Sequence, residues 1–193
     1  MRIISGTHRG RSFYPPQNLP VRPTTDFGKE ALFNILNNRI DYETVKALDL
    51  FAGTGSISYE LASRGCKEIT AVDANFNCCA FIKKTVEEFK FTGLHVIKHD
   101  VFKFLKSATG KYDLIFADPP YELKETAEIP GLVFAGGMLN PGGILIVEHP
   151  KELSFKDNEY FIEQRNYSKV NFSLFENKLN YEQRNDGGTH EEE

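Results

Sequence analysis

The sequence predicts an α/β fold: a doubly wound, mostly parallel seven-stranded sheet preceded by a small basic hairpin. Three observations predict it. From residue 45 onward, short apolar runs of strand type alternate with stretches of helical periodicity. The connections are long enough to hold a helix, which parallel neighbours need and hairpins do not. Two later runs, at residues 161–167 and 170–175, follow one another closely enough to pair antiparallel at one edge.

At 193 residues the chain suits a single domain with a sizeable core. Its 40% hydrophobic and 26% charged residues are ordinary for a globular protein. No apolar stretch approaches the roughly 18 residues of a membrane span, and the first residues lack an apolar signal core. A cytoplasmic protein without a membrane partner is the expectation. The three cysteines, Cys66, Cys78 and Cys79, form neither an even disulfide framework nor a metal-binding pattern, so they read as reduced and structural, and no metal is expected. The net charge of −4 is unevenly spread. Residues 1–25 carry Arg2, Arg9, Arg11 and Arg22 with no acid, a local +4, leaving −8 elsewhere. Such asymmetry is a modest footprint of a nucleic-acid partner. The domain boundaries that follow are a basic arm at 1–25, the α/β domain at 26–180 and an acidic tail at 181–193.

Residues 2–14 read as a hairpin-like arm turning at Gly6 and Gly10, with His8, Arg9 and Arg11 on its exposed side. These residues serve either as phosphate contacts or simply as a solvated face. Pro15, Pro16, Pro20 and Pro23 mark an extended linker. Asp26 is a candidate N-cap for a helix whose apolar positions are Phe27, Ala31, Leu32, Ile35 and Leu36. Residues 45–51 form the first buried strand, and Ala52-Gly53-Thr54-Gly55 leads into a helix at 56–64. A second strand at 68–72 ends at Asp73. The helix after it, over 75–91, is expected to bury Phe76, Cys79, Ala80, Ile82, Val86 and Phe89. A third strand at 94–98 ends at His99-Asp100 and feeds a short helix at 102–106. The fourth, at 112–117, ends at Asp118-Pro119-Pro120-Tyr121. A helix over 126–139 and a turn at 140–143 precede the fifth strand, 144–148.

In a parallel sheet the strand ends share one edge, so the glycine turn, Asp73, Asp100 and the tetrad at 118–121 converge on one cleft. Each acid taken alone reads equally well as a helix cap, and Pro-Pro alone can simply end a strand. Together they describe a nucleoside pocket. Gly53 and Gly55 let the backbone approach a ligand, and Asp73, 20 residues after Gly53, stands where an acid grips both ribose hydroxyls. Asp100 is placed to accept from an adenine amino group. A dinucleotide fingerprint needs a third glycine where Ser58 stands, and Asp49 before the turn disfavours a diphosphate. S-adenosylmethionine, with its ammonium, sulfonium, ribose and adenine, matches these parts in order.

The tetrad offers a carboxylate, a rigid carbonyl free of the strand ladder and an aromatic ring. Asp118 and the Pro119 carbonyl are placed to accept both hydrogens of an aromatic exocyclic amine. That favours a pyramidal nitrogen and concentrates its lone pair towards a methyl donor. Tyr121 is placed to stack on a base that is unpaired or flipped out.

Several segments carry a closer resemblance: Arg2-Ile3-Ile4-Ser5-Gly6, Arg9-Gly10-Arg11, Arg22-Pro23-Thr24-Thr25-Asp26, and Lys29-Glu30-Ala31-Leu32-Phe33-Asn34-Ile35-Leu36. Asp49-Leu50-Phe51-Ala52-Gly53-Thr54-Gly55, Asp118-Pro119-Pro120-Tyr121 and Glu148-His149 complete it. From residue 1 to about 175 the chain resembles the S-adenosylmethionine-dependent methyltransferases of class I, with their Rossmann-like sheet. More closely, it is similar to the RsmD family of 16S ribosomal RNA guanine-N2 methyltransferases. The resemblance implies that Asp49, Phe51, Ala52, Gly53, Thr54, Gly55, Asp73, Ala74, Asp100 and Val101 hold the cofactor. It implies that Asp118, Pro119, Pro120 and Tyr121 form the catalytic tetrad, and that His8, Arg9, Arg11 and Arg22 meet 16S ribosomal RNA within a small-subunit particle. The sequence departs from the family at Phe27-Gly28, where an arginine often begins the helix, and at Tyr167-Ser168-Lys169-Val170, which replaces Tyr-Gly-x-Thr. The alternatives are an adenine-N6 methyltransferase on RNA or DNA, and a noncatalytic RNA-binding assembly factor with the same fold. A dehydrogenase is more distant.

Overall fold

A computed structural model describes residues 1–17, 19, 25–167 and 170–178. Alternating apolar runs within them build seven strands: β1 (Lys46–Leu50), β2 (Glu68–Asp73), β3 (Leu94–Lys98), β4 (Tyr112–Ala117), β5 (Leu139–His149), β6 (Phe161–Tyr167) and β7 (Val170–Glu176). They lie in one sheet in the order β3-β2-β1-β4-β5-β7-β6. The first five are parallel, and β7 runs antiparallel to both β5 and β6. The predicted doubly wound sheet is therefore present. Strand order reverses between β1 and β4, which opens a crevice at their carboxyl ends.

The period of two along each strand sends alternate residues to opposite cores. Ala47, Leu114, Phe116, Ile144 and Ile146 face one layer, built from α1 (Asp26–Leu36), α2 (Ser56–Ser63) and α3 (Phe76–Phe89). Leu48, Leu50, Ile115, Ala117, Leu145 and Val147 face the other, built from α4 (Val101–Ser107) and α5 (Ile129–Ala135).

Four local expectations are corrected. Thr25, not Asp26, caps α1, its hydroxyl accepting from Gly28 N at 3.1 Å; Asp26 begins the helix and pairs with Arg2. On α3 the inward face is Cys78, Cys79, Ile82, Thr85 and Phe89, while Phe76 and Ala80 point outward, as does Phe27 on α1. The helix expected over 126–139 is a 3-10 turn, Lys124–Glu128, followed by α5, which Pro130 opens and Gly136-Gly137 closes. Residues 140–143 belong to β5 as an irregularity: Tyr112 pairs with Leu139 but Leu114 with Ile144. Asn177 fills the gap, its side chain donating to Leu139 O at 2.9 Å and its carbonyl accepting from Gly142 N at 2.8 Å.

All three cysteines are free and buried. Burial pushes the Cys66 and Cys78 thiols up to about 11 and raises Cys79 as well.

The arm is packed along α2 rather than projecting. Its single bridge joins Arg2 and Ser12, and Ile3 and Phe13 enter the core. Gly6 (φ +80°) presses so closely on Ser63 that a Cβ would stand 1.8 Å from its carbonyl oxygen. The anchor is Glu60, fully buried on α2. It accepts from Ile4 N at 2.8 Å and Ser5 N at 3.0 Å, pairs with Arg64 at 2.9 Å, and faces Lys29 Nζ at 3.9 Å. Burial lowers the Lys29 pKa, and the charge of Glu60 opposes that shift. A half-satisfied buried charge is costly, so replacing Glu60 with Ala should destabilise the fold by about 3–5 kcal/mol. It should also free the Ile4 and Ser5 amides to exchange. Urea denaturation and hydrogen exchange check both; an unshifted midpoint would show that the carboxylate anchors nothing.

Candidate active site

The cleft begins where β1 leaves the sheet. Phe51 takes φ +59°, rare for a side chain of its size, and Gly53 takes φ +55°. The turn is held by Asp73 at the end of β2, whose Oδ2 accepts from Gly53 N at 2.8 Å and whose Oδ1 accepts from Asn75 N at 2.8 Å. Two backbone donors thus fix the carboxylate, and each oxygen keeps a second lone pair for a ligand hydroxyl. Asp100 caps α4, its Oδ1 accepting from Lys103 N at 2.9 Å. The capping reading of Asp100 is therefore correct; the residue also lines the cleft, and its Oδ2 has no hydrogen bond among the described residues.

These elements enclose about 650 Å³, within the usual range for small-molecule sites. Phe51, Ala52, Gly53, Thr54, Asp73, Ala74, Asp100 and Val101 line one part, and Asp118, Pro119, Pro120 and Tyr121 line another. Sequence reasoning gave no role to Phe102, set edge-on to Phe51 with centroids 6.1 Å apart, or to Thr25, Gly28, Glu122, Glu148 and Val170. In the sequence Glu148 stands out only as part of a Glu-His motif; its place on β5, the strand beside the tetrad, marks it out.

The wall chemistry is lopsided. Asp73, Asp100, Asp118, Glu122 and Glu148 line the cleft, and among the described residues no lysine or arginine does. Such a surface repels a diphosphate and suits a ligand with cationic groups. S-adenosylmethionine fits on this ground: acids for its charged end and ribose, and an aromatic pair flanking the Asp100 side. Around the tetrad, Pro119 is buried and its carbonyl has no hydrogen bond among the described residues, whereas Pro120 O accepts from Leu123 N at 2.9 Å. Tyr121 Oη donates to Glu148 Oε1 at 3.0 Å, which fixes the ring at the rim.

Two predicted cofactor residues stand elsewhere. Asp49 is 2% exposed beneath the turn and does not line the cleft; its Oδ2 accepts from Ser58 Oγ at 2.6 Å and Ser58 N at 3.2 Å, so it braces the start of α2. Gly55 (φ +80°) is also outside the lining. A Cβ there would meet the Tyr59 ring at 2.7 Å, so packing rather than ligand approach demands the glycine. The arm residues are likewise apart. His8 is half-buried, its Nε2 within 3.0 Å of Phe89 O, and Arg11 stacks on Phe89 at 4.0 Å. Of the expected RNA contacts among the described residues, Arg9 and Arg11 are exposed, at the far end of α2 from the cleft. Arg22 lies outside the described residues.

The family described as conserved hypothetical protein 95 matches residues 1–176. Ribosomal RNA small subunit methyltransferase D of Haemophilus influenzae is 30% identical over 183 residues, 92% of this chain and 94% of that one. Its Escherichia coli counterpart is 30% identical over 152 residues, covering 79% and 76%. The solved structure of the Thermus thermophilus hypothetical protein TTHA0928 superimposes with a TM-score of 0.80 at 29% identity, covering 91% of this chain and 99% of that one.

Burial pushes the Asp49 carboxyl up to about 7, against the two bonds from Ser58 that favour its charge. The protonated form is the one the fold prefers. Its contribution is complete below about pH 4 and is lost as pH rises through about 7. Replacing Asp49 with Asn should therefore stabilise the protein more at about pH 8 than at about pH 5. Thermal melts at the two pH values test this, and an equal difference at both would mean that ionising Asp49 carries no penalty.

Proposed function

Because the chain belongs to the conserved hypothetical protein 95 family, the RsmD type of methyltransferase, we propose that it methylates the exocyclic N2 amine of a guanine in small-subunit ribosomal RNA, with S-adenosylmethionine as donor. The observation that carries this reading is the cleft itself: five carboxylates with no lysine or arginine beside them among the described residues, next to an Asp-Pro-Pro-Tyr loop. Bound there, S-adenosylmethionine supplies an electrophilic methyl group. Asp73 and Asp100 are the residues to hold its ribose and adenine, and the acidic wall favours its cationic end. Asp49 acts indirectly, by bracing the helix that follows the glycine turn.

At the other end, Asp118 and the Pro119 carbonyl accept the two amine hydrogens. That localises the nitrogen lone pair, which the aromatic ring otherwise delocalises. Pro119 and Pro120 hold this pair of acceptors stiff, so that positioning supplies much of the rate. Tyr121, fixed by Glu148, gives the base a face to stack on.

The RNA is proposed to be part of an assembled small-subunit particle. A chain of net charge −4, whose excess of positive charge is confined to residues 1–25, binds free polyanions weakly and gains from a shaped target. Arg9 and Arg11 are candidates for flanking phosphates.

Incubation with labelled methyl donor and either naked small-subunit RNA or subunits from unmethylated cells should yield N2-methylguanosine, with more label on the subunits. N6-methyladenosine as the product would overturn the reading. Asp118→Ala should abolish transfer, a loss beyond about 100-fold, while titration calorimetry still detects cofactor binding. Loss of both together would reassign Asp118 to supporting the fold.

A further inference from the structure

We infer that Glu148 is the residue that makes this cleft selective for guanine over adenine, by accepting a hydrogen bond from guanine N1–H. The inference rests on the methyltransferase reading above and names the contact that sets its base preference.

β4 and β5 are parallel neighbours, and Ala117 pairs with Val147. The next residue on each strand is therefore Asp118 and Glu148, side by side about 5 Å apart along the hydrogen-bonding direction. Both line the cleft, and Glu148 is 8% exposed. Its hydrogen bond from Tyr121 Oη, 3.0 Å long, ties it to the ring proposed to stack on the base. A carboxylate has about four acceptor positions, so this bond does not exhaust it.

The loop and the neighbouring strand end thus present acceptors in a row: the Pro119 carbonyl, the Asp118 carboxylate and the Glu148 carboxylate. Guanine offers a matching edge, with two hydrogens on N2 and one on the adjacent N1, all donors. Adenine offers two hydrogens on N6, but its adjacent N1 is an acceptor. With adenine's amine held by Asp118 and Pro119, its N1 lone pair would face the Glu148 carboxylate. A buried acceptor set against an acceptor loses a bond and adds repulsion, the kind of mismatch through which a polar site rejects an analogue. Stacking on Tyr121 and the grip on the amine serve either base and cannot distinguish them. Glu148 supplies the difference.

The test uses small-subunit particles reconstituted with RNA carrying guanine or 2-aminopurine at the modified position. 2-Aminopurine keeps the amine at C2 but has an unprotonated N1, and so isolates the proposed contact. The wild-type protein should prefer guanine by roughly 10- to 100-fold in kcat/KM. Glu148→Gln can still accept from Tyr121 and offers an N–H to N1. It should lose activity on guanine and gain on 2-aminopurine, narrowing or inverting the preference, with cofactor affinity within about threefold of wild type by calorimetry. An equal fall on both substrates, or a preference left unchanged, would overturn the inference. So would loss of cofactor binding together with activity, since Glu148 would then be supporting the fold. Failure of the wild-type protein to methylate guanine at all would instead defeat the underlying methyltransferase reading, and is seen before any variant is made.

Discussion

Everything in this molecule follows from one constraint: five consecutive strands run parallel, so every loop that leaves a strand's carboxyl end emerges on the same edge of the sheet. Residues separated by 20 to 100 positions are thereby delivered to one rim without any of them having to attract another. The reversal of strand order between β1 and β4 keeps neighbouring loops from closing over that rim. The ligand site is a consequence of topology first, and side chains then decide what it holds.

That division explains what was legible in the sequence. Strand ends are easy to read where an apolar run stops at an aspartate, so Asp73, Asp100 and Asp118 announced the cleft. Which way a side chain faces is harder. Asp49 sits among the same motif residues, yet it points beneath the turn at Ser58, because alternate residues of β1 face opposite layers. Gly55 is needed for a ring four residues ahead of it rather than for a ligand, and spacing alone does not separate the two. Glu148 required the register of β4 against β5, a pairing between residues about 30 apart.

The network around Glu60 was invisible for a related reason. Its partners lie 56 residues back on the arm, 31 back on α1 and 4 ahead on its own helix, and no local pattern links them. Burying two cations and an anion together is justified only when nearly every donor finds an acceptor, and here backbone amides of the arm complete the set. The result is that the arm, α1 and α2 form one rigid unit, and α1 in turn supplies Gly28 to the cleft wall beside its cap Thr25. The exposed Arg9 and Arg11 are thus held at a fixed offset from the glycine turn, since the arm is bonded to Ser63 at one end of α2 and the turn leads into Ser56 at the other.

The buried thiols have a practical corollary. With values near 11, Cys66 and Cys78 are almost wholly protonated at neutral pH, roughly one thiolate in ten thousand, and all three sulfurs are shielded from reagents. The native background should therefore be silent towards maleimides and mild oxidants. A single cysteine introduced on the solvent side, at Arg9 for instance, would take up a fluorophore or spin label alone, and the offset between arm and cleft becomes a ruler that spectroscopy can read without first stripping the protein of its own sulfur.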